Sequence, residues 1–183
     1  MKLMLTSCGL ESPHLMAEFL TLLPCTPQAA RALFIPAAAV SCDAIEVLPK
    51  CLTDLYAAGI DKEHIVINDL HIPLTPAQLS CYDCVYIAGG DTFYLTQRLT
   101  EGSSEALSAY LTAGRGVVLG VSAGAMVFSR HIAAHLGVLP NELHVHSAHG
   151  TPNGALPSAG QPIFLTNTQG IVYSGAAEPR ILS

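Results

Sequence analysis

Short, continuously apolar runs alternate along this chain with stretches in which apolar residues recur at helical spacing. Residues 3–6 form the first such run and predict a short strand. A loop carrying Gly9 and Pro13 then leads into a helical stretch over 14–23. Leu33-Phe34-Ile35-Pro36 predicts a second strand. Across 43–58, Ile45, Leu48, Leu52, Leu55 and Tyr56 fall at helical spacing, and Gly59 stops the helix. Further strands are predicted at 64–68, 85–88 and 117–121, with helices over 91–100 and 103–113, the second closed by Gly114. Strands that are apolar throughout, rather than at alternate positions, are covered on both faces. The expected fold class is therefore α/β, a mostly parallel sheet flanked by helices on both faces.

Beyond residue 128 the texture changes. Residues 139–162 are rich in Pro, Gly, His, Ser and Asn and predict loops around a short strand at 143–146. Two last strands, 163–166 and 171–173, are expected to be joined by Asn167-Thr168-Gln169-Gly170 in hairpin style. No repeat or linker divides the chain, and its 183 residues, 1–183, read as one domain large enough to bury a core without staples.

Half of the residues are hydrophobic and 12% are charged, which points to a compact globular protein. The net charge of −6 supplies no basic stripe and argues against a nucleic-acid partner. The longest apolar stretches, around 32–40 and 116–128, are broken by Pro36, Gly120 and Gly124 and are too short to span a bilayer. The amino-terminal residues read as a first strand rather than a signal peptide. Six cysteines in a chain of this size do not suggest a disulfide framework. Cys81 and Cys84 have redox or half-zinc spacing without a second such pair, and Cys84 opens a strand whose period buries it as a small core hydrophobe. A reducing cytoplasm is the expected compartment. The apolar character is compatible with a homodimer in which a twin covers an exposed strand or helix face.

Residues 120–124 read Gly-Val-Ser-Ala-Gly, directly after the apolar run 116–119 and ahead of the helix-compatible 125–128. A buried strand ending in Gly-x-Ser-x-Gly before a helix is the context of a nucleophile elbow. The turn leaves almost no room for side chains two residues either side of the serine, a demand that Gly120 and Gly124 meet. Ser122 is the candidate nucleophile. Its hydroxyl needs a base within hydrogen-bond reach, and histidine suits that role near neutral pH. His14, His64 and His71 lie ahead of the elbow, and His131 and His135 stand four apart after it, as on a solvated helix face. His144, His146 and His149 fall in the downstream region from which a base returns to the elbow. His144 and His146 also share one strand face, but no carboxylate accompanies them at a recognised ligand spacing; neither metal nor other cofactor is expected. Oxyanion donors could come from the amide of Ala123 and from the glycine-rich strand end Ala88-Gly89-Gly90-Asp91-Thr92. Within that strand end, Gly89, Asp91 and Thr92 are candidate pocket residues, and Asp91 also fits a helix N-cap.

Gly89-Gly90-Asp91-Thr92-Phe93, the Gly-Val-Ser-Ala-Gly-Ala of 120–125, and Leu136-Gly137-Val138-Leu139-Pro140 with a histidine shortly after are together similar to the S51 serine peptidases. That family includes peptidase E (aspartyl dipeptidase) and, more distantly, cyanophycinase. The resemblance covers nearly the whole chain. It implies a sheet related to that of class I glutamine amidotransferases, with serine in place of their cysteine, and hydrolysis of dipeptides that begin with aspartate. By the same resemblance Ser122 is the nucleophile, His146, six residues after Pro140, is the base in preference to His144, and the amides of Gly90 and Ala123 are the oxyanion donors.

The chain also departs from the family pattern. It is shorter between Ser129 and Leu136 and between His149 and Gln161, and the first gap is where peptidase E carries the aspartate that orients its base. Val145 stands where a proline is usual. Glu142 and Glu178 are the candidate triad acids, with a dyad assisted by water or a second histidine as the alternative. An acidic substrate residue would need a cation, for which Arg98, Arg115, Arg130 and Arg180 are available. The expected function is a cytoplasmic serine peptidase acting on small peptides, of Asp-X type by the resemblance, through a Ser-His acyl-enzyme mechanism. The competing classes are an S51-like small-molecule binding protein without turnover and a metal hydrolase built on His144, His146 and His149.

Overall fold

The computed structural model describes residues 1–130, 136–175 and 177–183. Among them the first half runs β1 (Lys2–Thr6), α1 (Pro13–Leu22), β2 (Ala32–Ile35), α2 (Cys42–Ala57), β3 (Ile65–Ile67), α3 (Pro76–Leu79) and β4 (Cys84–Ile87). The second half runs α4 (Thr92–Thr100), α5 (Ser104–Ala113), β5 (Val117–Val121), α6 (Ala123–Met126), β6 (Leu143–His144), β7 (Gly154–Ala155), β8 (Ile163–Phe164), β9 (Gly170–Ser174) and β10 (Arg180–Leu182). Eight of the strands form one sheet in the order β3-β2-β4-β5-β1-β9-β10-β7. The first five in that order pair in parallel, and β9, β10 and β7 continue the sheet antiparallel. β6 and β8 form a separate parallel pair.

The continuous apolar runs have the predicted cause. Along β1, β2, β4 and β5 successive side chains enter two different cores, one on each face of the sheet. Leu3, Leu5, Leu33, Ile35, Val85, Ile87 and Val118 pack on the face covered by α3, α4, α5 and α6. Met4, Phe34, Cys84, Tyr86, Val117 and Leu119 pack on the face covered by α1 and α2. Local signals set the helix starts. Ser41 accepts from the Ala44 amide at α2, Thr75 and Gln78 form a capping box at α3, and Asp91 accepts from the Tyr94 amide at α4. Cys84 is fully buried as expected, and burial pushes its thiol well above the ordinary range, whereas Cys81 is exposed.

The carboxyl-terminal third differs from expectation. The strands near 163–166 and 171–173 do not form a hairpin: β8 pairs with β6, and β9 pairs with β1 and β10. The strand expected over 143–146 ends at His144, because His146 takes a left-handed conformation with φ 55°. β10 and β7 were not anticipated: both are too short to show a periodic pattern, and β7 is exposed as well. The helical pair His131 and His135 lies outside the described residues. No helix among the described residues is long and apolar enough to cross a membrane.

Candidate active site

β5 lies between β4 and β1 near the middle of the sheet, and its carboxyl end turns at Ser122 directly into α6. Ser122 has φ 52° and ψ −112°, a conformation that costs a non-glycine residue about 1–3 kcal/mol and persists only when its surroundings hold it. Here the Ser122 amide donates to Thr6 O at 2.9 Å, and its carbonyl accepts from the Ala125 and Met126 amides. The flanking glycines are required by contact. A Cβ on Gly120 would lie 2.3 Å from Gly124 O, and one on Gly124 would lie 2.1 Å from Ile87 O. The strained turn is thus over-determined by backbone packing on both sides.

His146 reaches Ser122 from the loop after β6. Its left-handed backbone is fixed by donation from its amide to Oγ of the fully buried Ser7 at 2.7 Å. Its ring spans two partners. Nε2 lies 3.0 Å from Ser122 Oγ, and Nδ1 lies 2.9 Å from Asn167 Oδ1. A neutral imidazole protonated on Nδ1 satisfies both contacts, donating to the Asn167 carbonyl oxygen and presenting the Nε2 lone pair to the serine proton. Asn167 is carried by the turn between β8 and β9, which Gln169 closes by accepting from the Thr166 amide with its side chain.

β4 ends in Ala88-Gly89-Gly90 alongside the elbow. A Cβ on Gly89 would stand 3.0 Å from Ser122 Cβ, and one on Gly90, whose φ is +140°, would stand 2.0 Å from Ala38 O. Neither the Gly90 amide nor the Ala123 amide has an acceptor within hydrogen-bond reach among the described residues. Ser122, His146, Gly89 and Gly90 open onto a cavity of about 500 Å³, whose opposite wall is α2. Asp54 lines that wall. Its Oδ2 accepts from the Tyr86 hydroxyl at 2.7 Å, and burial raises its carboxyl above the usual range. Lys50 also lines the cavity, and its ammonium is paired with Glu11.

A family model, peptidase family S51, matches residues 3–150. The chain belongs to peptidase family S51. A crystal structure of a protein described as a candidate peptidase E from Listeria monocytogenes EGD-e shares the S51 chain's fold with a TM-score of 0.74. The two are 21% identical over 100% of this chain and 98% of that one. A peptidase from an acI-B1 actinobacterium superposes with a TM-score of 0.62 at 16% identity, over 100% of this chain and 87% of that one. No functionally curated protein matches the chain. Membership of S51 makes peptide-bond hydrolysis the family chemistry within which the site is to be read.

The residues marked out in the S51 sequence fall into two groups in the structure. Ser122, His146, Gly90 and Ala123 come together at the carboxyl end of β5, and Gly89 lines the cavity beside them. Glu142 and Glu178 do not reach His146. Glu142 lies 3.2 Å from His144 Nε2, and Glu178 is exposed in the connection to β10. The place expected for an acid is held by Asn167, a residue read from the sequence only as part of a turn. Asp91 and Thr92 do not line the cavity, because Asp91 caps α4 and Thr92 Oγ1 faces Met126 Sδ at 3.9 Å. His144 stacks on Phe164. Ser7 was also missed: a lone serine after a strand carries no signal for a contact 139 positions away.

Proposed function

We propose that this S51 chain is a serine peptidase that cuts small peptides by an acyl-enzyme route. The observation that supports it most directly is the unbroken relay from Asn167 through His146 to Ser122 beside a substrate-sized cavity. Ser122 Oγ attacks the peptide carbonyl carbon while its proton passes to His146 Nε2. The carbonyl electron pair moves onto oxygen, where the amides of Gly90 and Ala123 meet it; such donors are worth about 10²–10³ in rate each. Collapse breaks the C–N bond, and the leaving amine takes the proton from Nε2. Water then adds to the acyl-serine by the same steps, with His146 again as base. Asn167 accepts from Nδ1 throughout, so its part is orientation and tautomer rather than charge.

The preference for an amino-terminal aspartate that the family suggests finds little support in the cavity. Its lining lysine is already neutralised by Glu11, and its wall carries Asp54. The reading therefore stands on small peptides as a class. A fluorophosphonate probe and a dipeptide panel, each applied to the wild type and to Ser122→Ala, test it directly. Labelling and hydrolysis that vanish together in the variant are expected. A wild type that is neither labelled nor active would sink the serine-peptidase reading.

A further inference from the structure

We infer that the cavity beside Ser122 receives a cationic residue of the peptide, its hydrocarbon stem against α2 and its positive end on the Asp54 carboxylate. This rests on the serine-peptidase reading, which makes the cavity the seat of a residue flanking the scissile bond. A space of about 500 Å³ is large enough for a long side chain. Ala44, Val47 and Leu48 of α2 give it an apolar wall suited to methylene groups. Asp43 stands exposed on the same helix and adds a second negative charge to that wall.

Asp54 is the group that lacks a counter-charge in contact with it. Tyr86 donates to Oδ2 and the Leu10 backbone amide also donates to the carboxylate, but no cation lies within ion-pair distance of it among the described residues. Lys50, the nearest candidate by sequence, is engaged by Glu11. Lys50 favours the carboxylate only from a distance, and burial outweighs it and raises the Asp54 carboxyl, as expected for a partly buried carboxylate with no cation in contact. A neutral amide oxygen would serve the Tyr86 hydroxyl and the Leu10 amide equally well, so these hydrogen bonds alone do not account for a charge at this place. Gly9 packs its backbone against one side of the carboxylate, where a Cβ would stand 2.2 Å from Oδ2, so a ligand meets the group from the cavity side. An ammonium or guanidinium entering from the peptide supplies the missing charge and donors together, whereas an acidic residue meets repulsion from Asp54 and Asp43.

Binding to Ser122→Ala by calorimetry, with turnover by the wild type alongside, tests the inference. The probes are lysyl-alanine and alanyl-lysine, their norleucine counterparts, which keep the stem and lose the charge, and aspartyl-alanine. In one of the two positions lysine should bind roughly tenfold or more tighter than norleucine, with aspartyl-alanine weakest. Adding Asp54→Asn should erase the lysine advantage. Equal binding of lysine and norleucine peptides, a comparison that needs no change at Asp54, would overturn the inference, as would an advantage that survives Asp54→Asn. Ser122-dependent turnover without charge selectivity would overturn this inference and leave the serine-peptidase reading standing. Selective binding without Ser122-dependent turnover would do the reverse.

Discussion

Replacing Asn167 separates the orienting role of a triad's third member from its charge. Asn167→Ala removes the acceptor 2.9 Å from His146 Nδ1 and frees the imidazole to turn or to change tautomer. Both side chains are exposed, so the loss is that of one solvent-accessible hydrogen bond, about 1–1.5 kcal/mol, or roughly a tenfold fall in kcat with KM little changed. Asn167→Asp keeps the acceptor and places an anion beside a ring that becomes cationic as the proton arrives. At about 4 Å such a charge is worth about 1 kcal/mol in water and about 4 kcal/mol at the effective dielectric of a protein surface. Exposure puts the pair near the lower limit, which predicts a rise in kcat of roughly fivefold. Steady-state kinetics on the best peptide of the dipeptide panel, with single-turnover labelling by a fluorophosphonate, reads both variants. An unchanged kcat in Asn167→Ala would refute the assignment of Asn167 as the residue that positions His146. A fall in Asn167→Asp to the level of Asn167→Ala would refute the charge argument.

Gly90→Ala should lower kcat by about 10²–10³ while KM stays near the wild-type value, because a Cβ 2.0 Å from Ala38 O must displace the amide aimed at the oxyanion; full activity would remove Gly90 from that role. Gly124→Ala drives a Cβ to 2.1 Å from Ile87 O and should cost roughly 3 kcal/mol in urea unfolding, with a change under about 0.5 kcal/mol counting against the packing account of the elbow. Asp54 titrates above its usual range in the folded chain, so the folded state holds its proton more tightly than the unfolded state does. Stability is then lost as pH rises from the unfolded pKa through the raised folded value, and Asp54→Asn should escape that loss. Its melting temperature should gain on the wild type between about pH 3 and pH 7, and a constant difference across that range would contradict the assignment. Cys84→Ser buries a hydroxyl in a fully apolar setting and should cost about 1–3 kcal/mol in the same unfolding assay.

The strands β1, β2, β4 and β5 were legible because they are buried on both faces and therefore almost continuously apolar, a signal that survives in a single sequence. The elbow was legible for a different reason. Gly120 and Gly124 are fixed by contacts within a few residues or with one neighbouring strand, so the constraint is written locally. Asn167, Ser7 and Asp54 obey no local rule. Each acquires its part from a partner far along the chain, and an asparagine before Thr168-Gln169-Gly170 looks like any turn residue until β9 is known to pair with β1. The hairpin expectation failed on the same ground: two short strands close in sequence had better partners in β6 and β1 than in each other.

β1 bears on how the chain comes to life as well as on how it is held. Thr6 O fixes the amide of Ser122 and Ser7 Oγ fixes that of His146, so both working residues hang from one strand end. That strand is inserted between β5 and β9, partners from the middle and the far end of the sequence. Closing such long loops costs chain entropy before the contacts form. The Ser122–His146 geometry is therefore a property of the completed sheet: the amide of neither residue is held in place by the segment of chain that carries it.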